Sequence, residues 1–284
     1  NLFIGIYLSN SFGNIISNNV ISGNDNGISM EYSNINTITN NTITENENGL
    51  YLHGEEPNPI AGNAIIANTV SNNTLGISLT YSENNLVYHN NFVNNSNQAY
   101  TFDSEDLWDW EGEGNYWSDY AGEDSNFDAI GETPYQTGDA SVDNYPLVGV
   151  FHSFSFTWET ETFHVSVISA SKIVEFSFVQ PEKKISLNVT ESGFCKVTFP
   201  TVLLGGPYTV LADSPNPVIV VPTSDDTHAI FYIIYNQDTN EIQIKGSSAV
   251  PEFSSIPLLL AAMLLVLTMS AIAKKNSQRL VKRA

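Results

Sequence analysis

The chain has 284 residues and carries 31 Asp and Glu against 10 Lys and Arg, a formal net charge of −21. The imbalance is concentrated: residues 1–150 hold 20 acidic residues and not one Lys or Arg, which excludes nucleic acid and anionic lipid as partners of that half and favours cations or sugars, unless the charge only solubilises. Cys195 stands alone, so no intrachain disulfide forms.

The chain begins at Asn1, without Met and in mid-repeat, because Ile6 and Leu8 already fit the pattern that follows. A missing or cleaved start, with further coils upstream, is the expectation. Asn14, Asn36, Asn63 and Asn85 each open a block of the form Asn-x-apolar-x-x-Asn-x-apolar, at intervals of 22, 27 and 22 residues. Five and ten residues on stand two asparagine ladders: Asn19, Asn41, Asn68 and Asn90, then Asn24, Asn46, Asn73 and Asn95. Apolar columns run beside them, among them Ile21, Ile43, Val70 and Phe92, and Ile6, Ile28, Leu50 and Ile77. A glycine column, Gly5, Gly27, Gly49 and Gly76, precedes the last of these.

A period in the low twenties, built from short alternating runs broken by Asn and Gly, predicts a solenoid of strands: a right-handed parallel β-helix over 1–102, apolar columns inward, coils about 4.8 Å apart. Asn suits the corners because it tolerates left-handed backbone angles and its amide pairs with amides above and below. The five extra residues of the long interval fall at 53–59 and predict an outward loop. Asp25 and Glu47 share a column with Glu45 nearby, which makes a glycosidase carboxyl pair conceivable beside the alternative of acids on neighbouring turns.

Residues 103–149 pack aromatic rings among acids. Trp108, Trp110, Tyr116 and Trp117 either offer flat faces to sugar rings or close the end of the solenoid, which must be covered. In 124–132, oxygen-bearing side chains alternate with others. The spacing makes Asp124, Asn126, Asp128, the backbone carbonyl of Ile130 and Glu132 candidate calcium ligands, although Ala129 stands where such a loop wants Gly and Tyr135 where it wants Glu.

The coils, together with Gly114-Asn115-Tyr116-Trp117-Ser118-Asp119-Tyr120, the 124–132 loop, Thr133-Pro134-Tyr135 and Asp143-Asn144-Tyr145-Pro146-Leu147, resemble the NosD-type β-helix domains, part of the wider class of carbohydrate-binding and sugar-hydrolysis repeats abundant in archaeal surface proteins. The resemblance covers about 1–148 and implies a pectin-lyase-like right-handed, single-stranded β-helix with a C-terminal cap that in many members reads Asp-x-Asn-x-Asp-Gly-Ile-Gly-Asp, from which Ala129 and Glu132 depart. It also implies periplasmic copper delivery. The residues argue against that: Met30, His53 and His89 fall in different columns, and copper wants clustered His, Met or Cys. Lyase chemistry on this fold needs a basic side chain that residues 1–150 lack.

From 150 to 247, period-two runs separated by Pro, Gly and Asn predict an Ig-like antiparallel β-sandwich, a spacer or adhesion module without a catalytic constellation. Asn40, Asn72, Asn94 and Asn188 each lie in an Asn-x-Ser/Thr glycosylation triplet. After a linker at 248–255, residues 256–273 are 18 without charge, about 27 Å as a helix. The basic tail 274–284 follows, so the reading is one transmembrane helix with its C-terminus in the cytoplasm. Pro251, Glu252 and Phe253 resemble the PEF-type sorting signal of archaeal surface proteins, which implies an archaeosortase-like processing enzyme.

The expectation is therefore an all-β surface protein, membrane-anchored, with a glycan-binding, structural or adhesive role. Its partners would be the membrane, glycans or other surface proteins, and not nucleic acid. Calcium is the expected ion. The alternatives are a polysaccharide-acting glycoside hydrolase and a copper-delivery accessory protein.

Overall fold

The computed structural model of the protein describes residues 3–250 except 139, 140, 159 and 215–217. Its first half is a three-sided parallel β-helix. One face stacks Ile4–Ser9, Asn26–Glu31, Asn48–His53 and the first parts of Leu75–Tyr88 and Asn97–Leu107. A second stacks Ile15–Ser17, Thr37–Thr39, Ala64–Ile66 and the end of Leu75–Tyr88. The third stacks Val20–Ser22, Thr42–Thr44, Thr69–Ser71, Asn91–Val93 and Tyr116–Trp117. The register repeats the sequence intervals: Ile28 pairs with Leu50 and Leu50 with Ile77, while Ile43 pairs with Val70 and Val70 with Phe92. These columns fill the interior at 0% exposure, as period-two alternation around a closed coil requires.

Three asparagine ladders run along the corners. Asn36 Oδ1 accepts both the backbone N–H and the Nδ2 of Asn14 at 2.9 Å, and Asn63 repeats the arrangement for Asn36. Asn41 and Asn68, and Asn46 and Asn73, do the same on the other two corners. Of the two expected reasons for asparagine, the pairing of amides between coils holds and the left-handed backbone does not. Ladder residues are not left-handed. The residue ahead of each is, whether Gly13, Ile35, Gly62 and Asn84, or Asn18, Asn40, Ala67 and His89, or Gly23, Glu45, Asn72 and Asn94. The strained residue turns the chain, and the amide that follows satisfies a backbone N–H that the corner leaves unpaired.

The glycine column has a steric cause. A Cβ on Gly49 would stand 2.6 Å from the carbonyl oxygen of Gly76 and 2.6 Å from Val70 Cγ1. The extra residues of the long coil leave at Gly54, turn through reciprocal backbone bonds between Glu55 and Asn58, and rejoin the stack at Ile60–Ala61.

The cap continues the apolar column beyond the last full coil. Trp117 stacks on Phe92 at 4.4 Å and Tyr135 stacks on Trp117 at 4.3 Å. Trp108 leans against Trp117 and donates its Nε1–H to Ser141 Oγ at 2.6 Å.

The second half is an antiparallel sandwich. One sheet orders Val150–Trp158, Glu161–Ser169, Gly193–Pro200, His228–Tyr235 and Ile219–Ser224; the other orders Ile173–Val179, Lys184–Val189, Glu241–Lys245 and Thr209–Ala212. Val165, Val167, Val197, Phe199 and Ile233 meet Ile185, Leu187, Ile242 and Ile244 between them, with Cys195 buried there too. Burial pushes its thiol up to about 12, so it serves as a small apolar core group. Among the described residues no helix is long and apolar enough to cross a membrane. The expected span 256–273, the tail 274–284 and the sorting triplet Pro251, Glu252 and Phe253 lie outside the described residues.

Candidate functional site

The long coil creates a groove on the surface of the β-helix. Its loop, carrying Glu55, Glu56, Pro57 and Pro59, forms one wall of a groove whose other side is Tyr81, Ser82, Glu83, Asp103 and Glu105. The cavity measures about 350 Å³. Tyr81 and Asp103 occupy a left-handed turn column that also contains Asn10 and Tyr32. Gly54 stands in the same column, where a Cβ would lie 2.4 Å from the Tyr81 carbonyl oxygen. Glycine at 54 therefore allows the loop to leave without breaking the stack.

Aromatic rings pave the approach. Tyr51 and His53 lie nearly parallel at 6.0 Å, His53 meets Tyr81 edge-on at 6.2 Å, and Tyr81 meets Phe102 edge-on at 5.5 Å. His53 Nδ1 shares a hydrogen bond with Thr80 Oγ1 at 2.7 Å, which fixes the ring. Glu83 and Glu105 face each other in register on adjacent coils, a spacing of about 4.8 Å between strands. The Glu55 carboxylate beside Tyr32 raises its hydroxyl above the ordinary tyrosine value.

The residues singled out in the sequence fall in several places. Trp108 and Trp117 are 1% and 0% exposed, so they seal the solenoid and offer no face to a sugar, the second of the two readings given for them. Trp110 is exposed and Tyr116 half-buried, away from the groove lining. Asp25 accepts the backbone N–H of Phe3, while Glu45 and Glu47 are exposed. Asp25 and Glu47 lie one coil apart, as their column predicts, and neither lines the groove of the long coil.

The 124–132 loop ties itself together. Asp124 accepts the backbone N–H groups of Asp128 and Ala129, Asn126 that of Asp128, and Asp128 that of Ile130. Glu132 turns to the backbone N–H and hydroxyl of Ser125. Among the described residues no three His, Cys, Asp or Glu side chains converge as metal ligands. The loop fits calcium only in part, since Glu132 would have to leave Ser125 to join Asp124 and Asp128.

For copper the arrangement offers less. Met30 is buried in the core, His53 is bonded to Thr80, and His89 donates to Glu113 at 2.7 Å. Of the glycosylation candidates, Asn40, Asn72 and Asn94 sit exposed on turns, and Asn188 is half-buried with its amide bonded to Glu175.

The groove itself was not anticipated from the sequence. Its signal was present in the five-residue excess at 53–59, which contains Glu55 and Glu56 and lies one coil from Tyr81 and Glu83.

Residues 1–122 match the family described as periplasmic copper-binding protein (NosD). No curated protein matches the chain. Among solved structures, the Dettilon tailspike protein gp208 is similar at 14% identity and a TM-score of 0.25, over 81% of this chain and 55% of that one. The tailspike gp61 of Pseudomonas phage phi297 is similar at 7% and 0.24, over 86% and 59%. The tailspike gp49 of Acinetobacter baumannii bacteriophage Fri1, a capsular polysaccharide depolymerase, is similar at 10% and 0.23, over 88% and 60%. The chain thus spans between 55% and 60% of these three proteins.

Proposed function

We propose, from the NosD-type parallel β-helix that forms the first part of this chain, that the protein binds carbohydrate outside the cytoplasm. The observation that carries the reading is the groove at the long coil, where exposed Phe102 and half-buried Tyr81 stand beside Glu55, Glu83, Asp103 and Glu105. Aromatic faces hold the apolar side of a sugar ring, and carboxylates accept its hydroxyls. The fold favours this because its flat faces extend along one axis and suit a polymer.

Hydrolysis is the second reading, favoured by one observation, the register pairing of Glu83 and Glu105 at a spacing close to that of a retaining carboxyl pair. Binding without turnover is preferred because both glutamates are exposed to water, whereas the carboxyl pair of a hydrolase works in a site that shields it. Copper binding, the property named for the matching family, finds no ligand cluster among the described residues. Calcium at 124–132 and anchoring through 256–273 belong to the same proposal with tests of their own: a melting temperature that rises with calcium and falls with chelator, and partition of the full chain into membranes.

The deciding experiment is calorimetric titration of the protein with neutral, amino-sugar and uronic-acid oligosaccharides. Tyr81→Ala and Phe102→Ala are each expected to weaken binding about tenfold, and Glu83→Gln with Glu105→Gln to leave reducing-end release at background in variant and parent alike. No binding of any class sinks the proposal. Reducing-end release by the parent that the double Gln variant loses replaces binding by hydrolysis.

A further inference from the structure

The outer face of the first sheet carries a second pattern, which shares Tyr51 with the approach to the groove. Tyr7 pairs in register with Ser29, Ser29 with Tyr51, Tyr51 with Ser78, and Ser78 with Tyr100. The column reads Tyr-Ser-Tyr-Ser-Tyr along the solenoid axis. Its neighbours along each strand, Ile6 and Leu8, Leu50 and Leu52, Ile77 and Leu79, point inward, so these five side chains point out. Tyr7 and Tyr100 are 49% and 46% exposed, yet Ser29 and Ser78 between the tyrosines are 1% and 3%. An outward serine disappears from solvent when the rings on either side lie over it. Tyr7 is held in that pose by its hydroxyl, which donates to Glu31 at 2.7 Å.

Rings on alternate coils stand two strand spacings apart, about 9.6 Å, and the three together span about 19 Å. That repeat is close to the length of one disaccharide in an extended, β-linked chain, in which every second sugar presents the same face. A helical or strongly bent glycan does not keep such a rise. The acidic surface selects further: with 20 carboxylates and no Lys or Arg in residues 1–150, an anionic polymer would be repelled along the whole column. We propose that Tyr7, Tyr51 and Tyr100 form a track for a linear, extended, uncharged β-linked glycan lying parallel to the solenoid axis, one ring per disaccharide. The inference rests on the carbohydrate-binding reading above and gives it a polymer geometry and a charge class.

Cello-oligosaccharides of two, four, six and eight residues are the probe, titrated into the full chain, with polygalacturonate oligomers and β-1,3-linked glucan oligomers as comparison arms. Affinity is expected to rise about tenfold with each added disaccharide up to about six residues and then level off. Tyr51→Ala, which removes the middle ring, is expected to cost the six-residue ligand about tenfold and the two-residue ligand far less. Tyr51→Phe keeps the ring and is expected to bind as the parent does. Thermal melts of both variants separate a lost ring from a lost fold. Affinity that keeps growing beyond six residues, tighter binding of the polygalacturonate or β-1,3 arm, or an unchanged six-residue affinity in Tyr51→Ala overturns the track. If these occur while Tyr81→Ala and Phe102→Ala still weaken binding, the groove stands and the track alone falls. If no oligosaccharide binds, both fall.

Discussion

Each asparagine ladder needs an acceptor at its end, and the residues that provide it differ in what they tolerate. On one corner Asn85 donates its backbone N–H and Nδ2 to Asp106 Oδ1, while Asp106 Oδ2 accepts the hydroxyls of Ser82 and Ser104. On another, Asn115 donates to Asp143 Oδ2, which also takes Trp117 Nε1–H, and Asp143 Oδ1 takes the backbone N–H of Tyr145. All partners of Asp143 are obligate donors, whereas a serine hydroxyl can turn to accept. Asp143→Asn therefore points an NH₂ group at an N–H whichever way the amide is flipped, and is expected to cost about 1–3 kcal/mol. Asp106→Asn can aim its NH₂ at the two serines and is expected to cost under about 1 kcal/mol. Urea unfolding of the two variants compares them, and equal losses would mean that the ladder ends are not what distinguishes them. Asp143 was read from the sequence only as part of a family-like Asp-Asn-Tyr-Pro-Leu stretch. Its role depends on a partner 28 residues away, Asn115, which no local pattern announces.

The coil is the element whose interior was most legible and whose exterior was least. Apolar columns are written in the chain because a one-residue slip would turn every side chain to the wrong face, and Ile43, Val70 and Phe92 lie in the register that their spacing predicts. The groove escaped because it depends on where an inserted loop folds back, and Gly54, Tyr81 and Asp103 come together only once the coils are stacked. The cap was legible as an ambiguity that burial of Trp108 and Trp117 resolves. Within a coil the ladder amide bears more than its size suggests. Asn68 Oδ1 takes two bonds from Asn41, and its Nδ2 donates to Ile38 O at 2.9 Å, Ile66 O at 3.2 Å and Asn90 Oδ1 at 2.9 Å, all at 0% exposure. Asn68→Ala strands the buried N–H of Asn41 and empties a corner, so a loss of about 2–4 kcal/mol is expected. Chemical denaturation of variant and parent measures the loss, and a change under about 1 kcal/mol would mean that the ladder amide is dispensable.

At the scale of the whole molecule, the sandwich is fastened to the flank of the β-helix by a small polar knot inside an apolar rim. Asn91 exchanges two hydrogen bonds with the backbone of Phe151, His89 stacks on the Phe151 ring at 4.0 Å, and Lys196 of the sandwich reaches Glu113 at 2.6 Å. Ala129, Ile130, Leu147, Ile168 and Tyr232 close the rim, which gives the 124–132 loop a structural task. Burial alone would push Glu113 up, but the hydrogen bond from His89 and the charge of Lys196 outweigh it and hold the carboxyl at about 2, against an ordinary 4.5. A carboxylate depressed in the fold contributes stability that is present above its ordinary value and lost as pH falls toward the folded one; here that contribution is on the order of 3 kcal/mol, lost between 4.5 and about 2. The 20 unbalanced acids of residues 1–150 repel one another more as pH rises. Together these terms place the stability optimum at about pH 4–5, below the optimum near neutrality common in proteins of balanced charge. Melting temperature measured from pH 2 to 8 is expected to peak there. Glu113→Gln should flatten the acid limb, since it removes the titrating partner of Lys196, and added salt should flatten the alkaline limb by screening the acids. A peak at pH 7–8, or an acid limb unchanged in Glu113→Gln, would show that neither the knot nor the acidic surface governs how the two halves hold together.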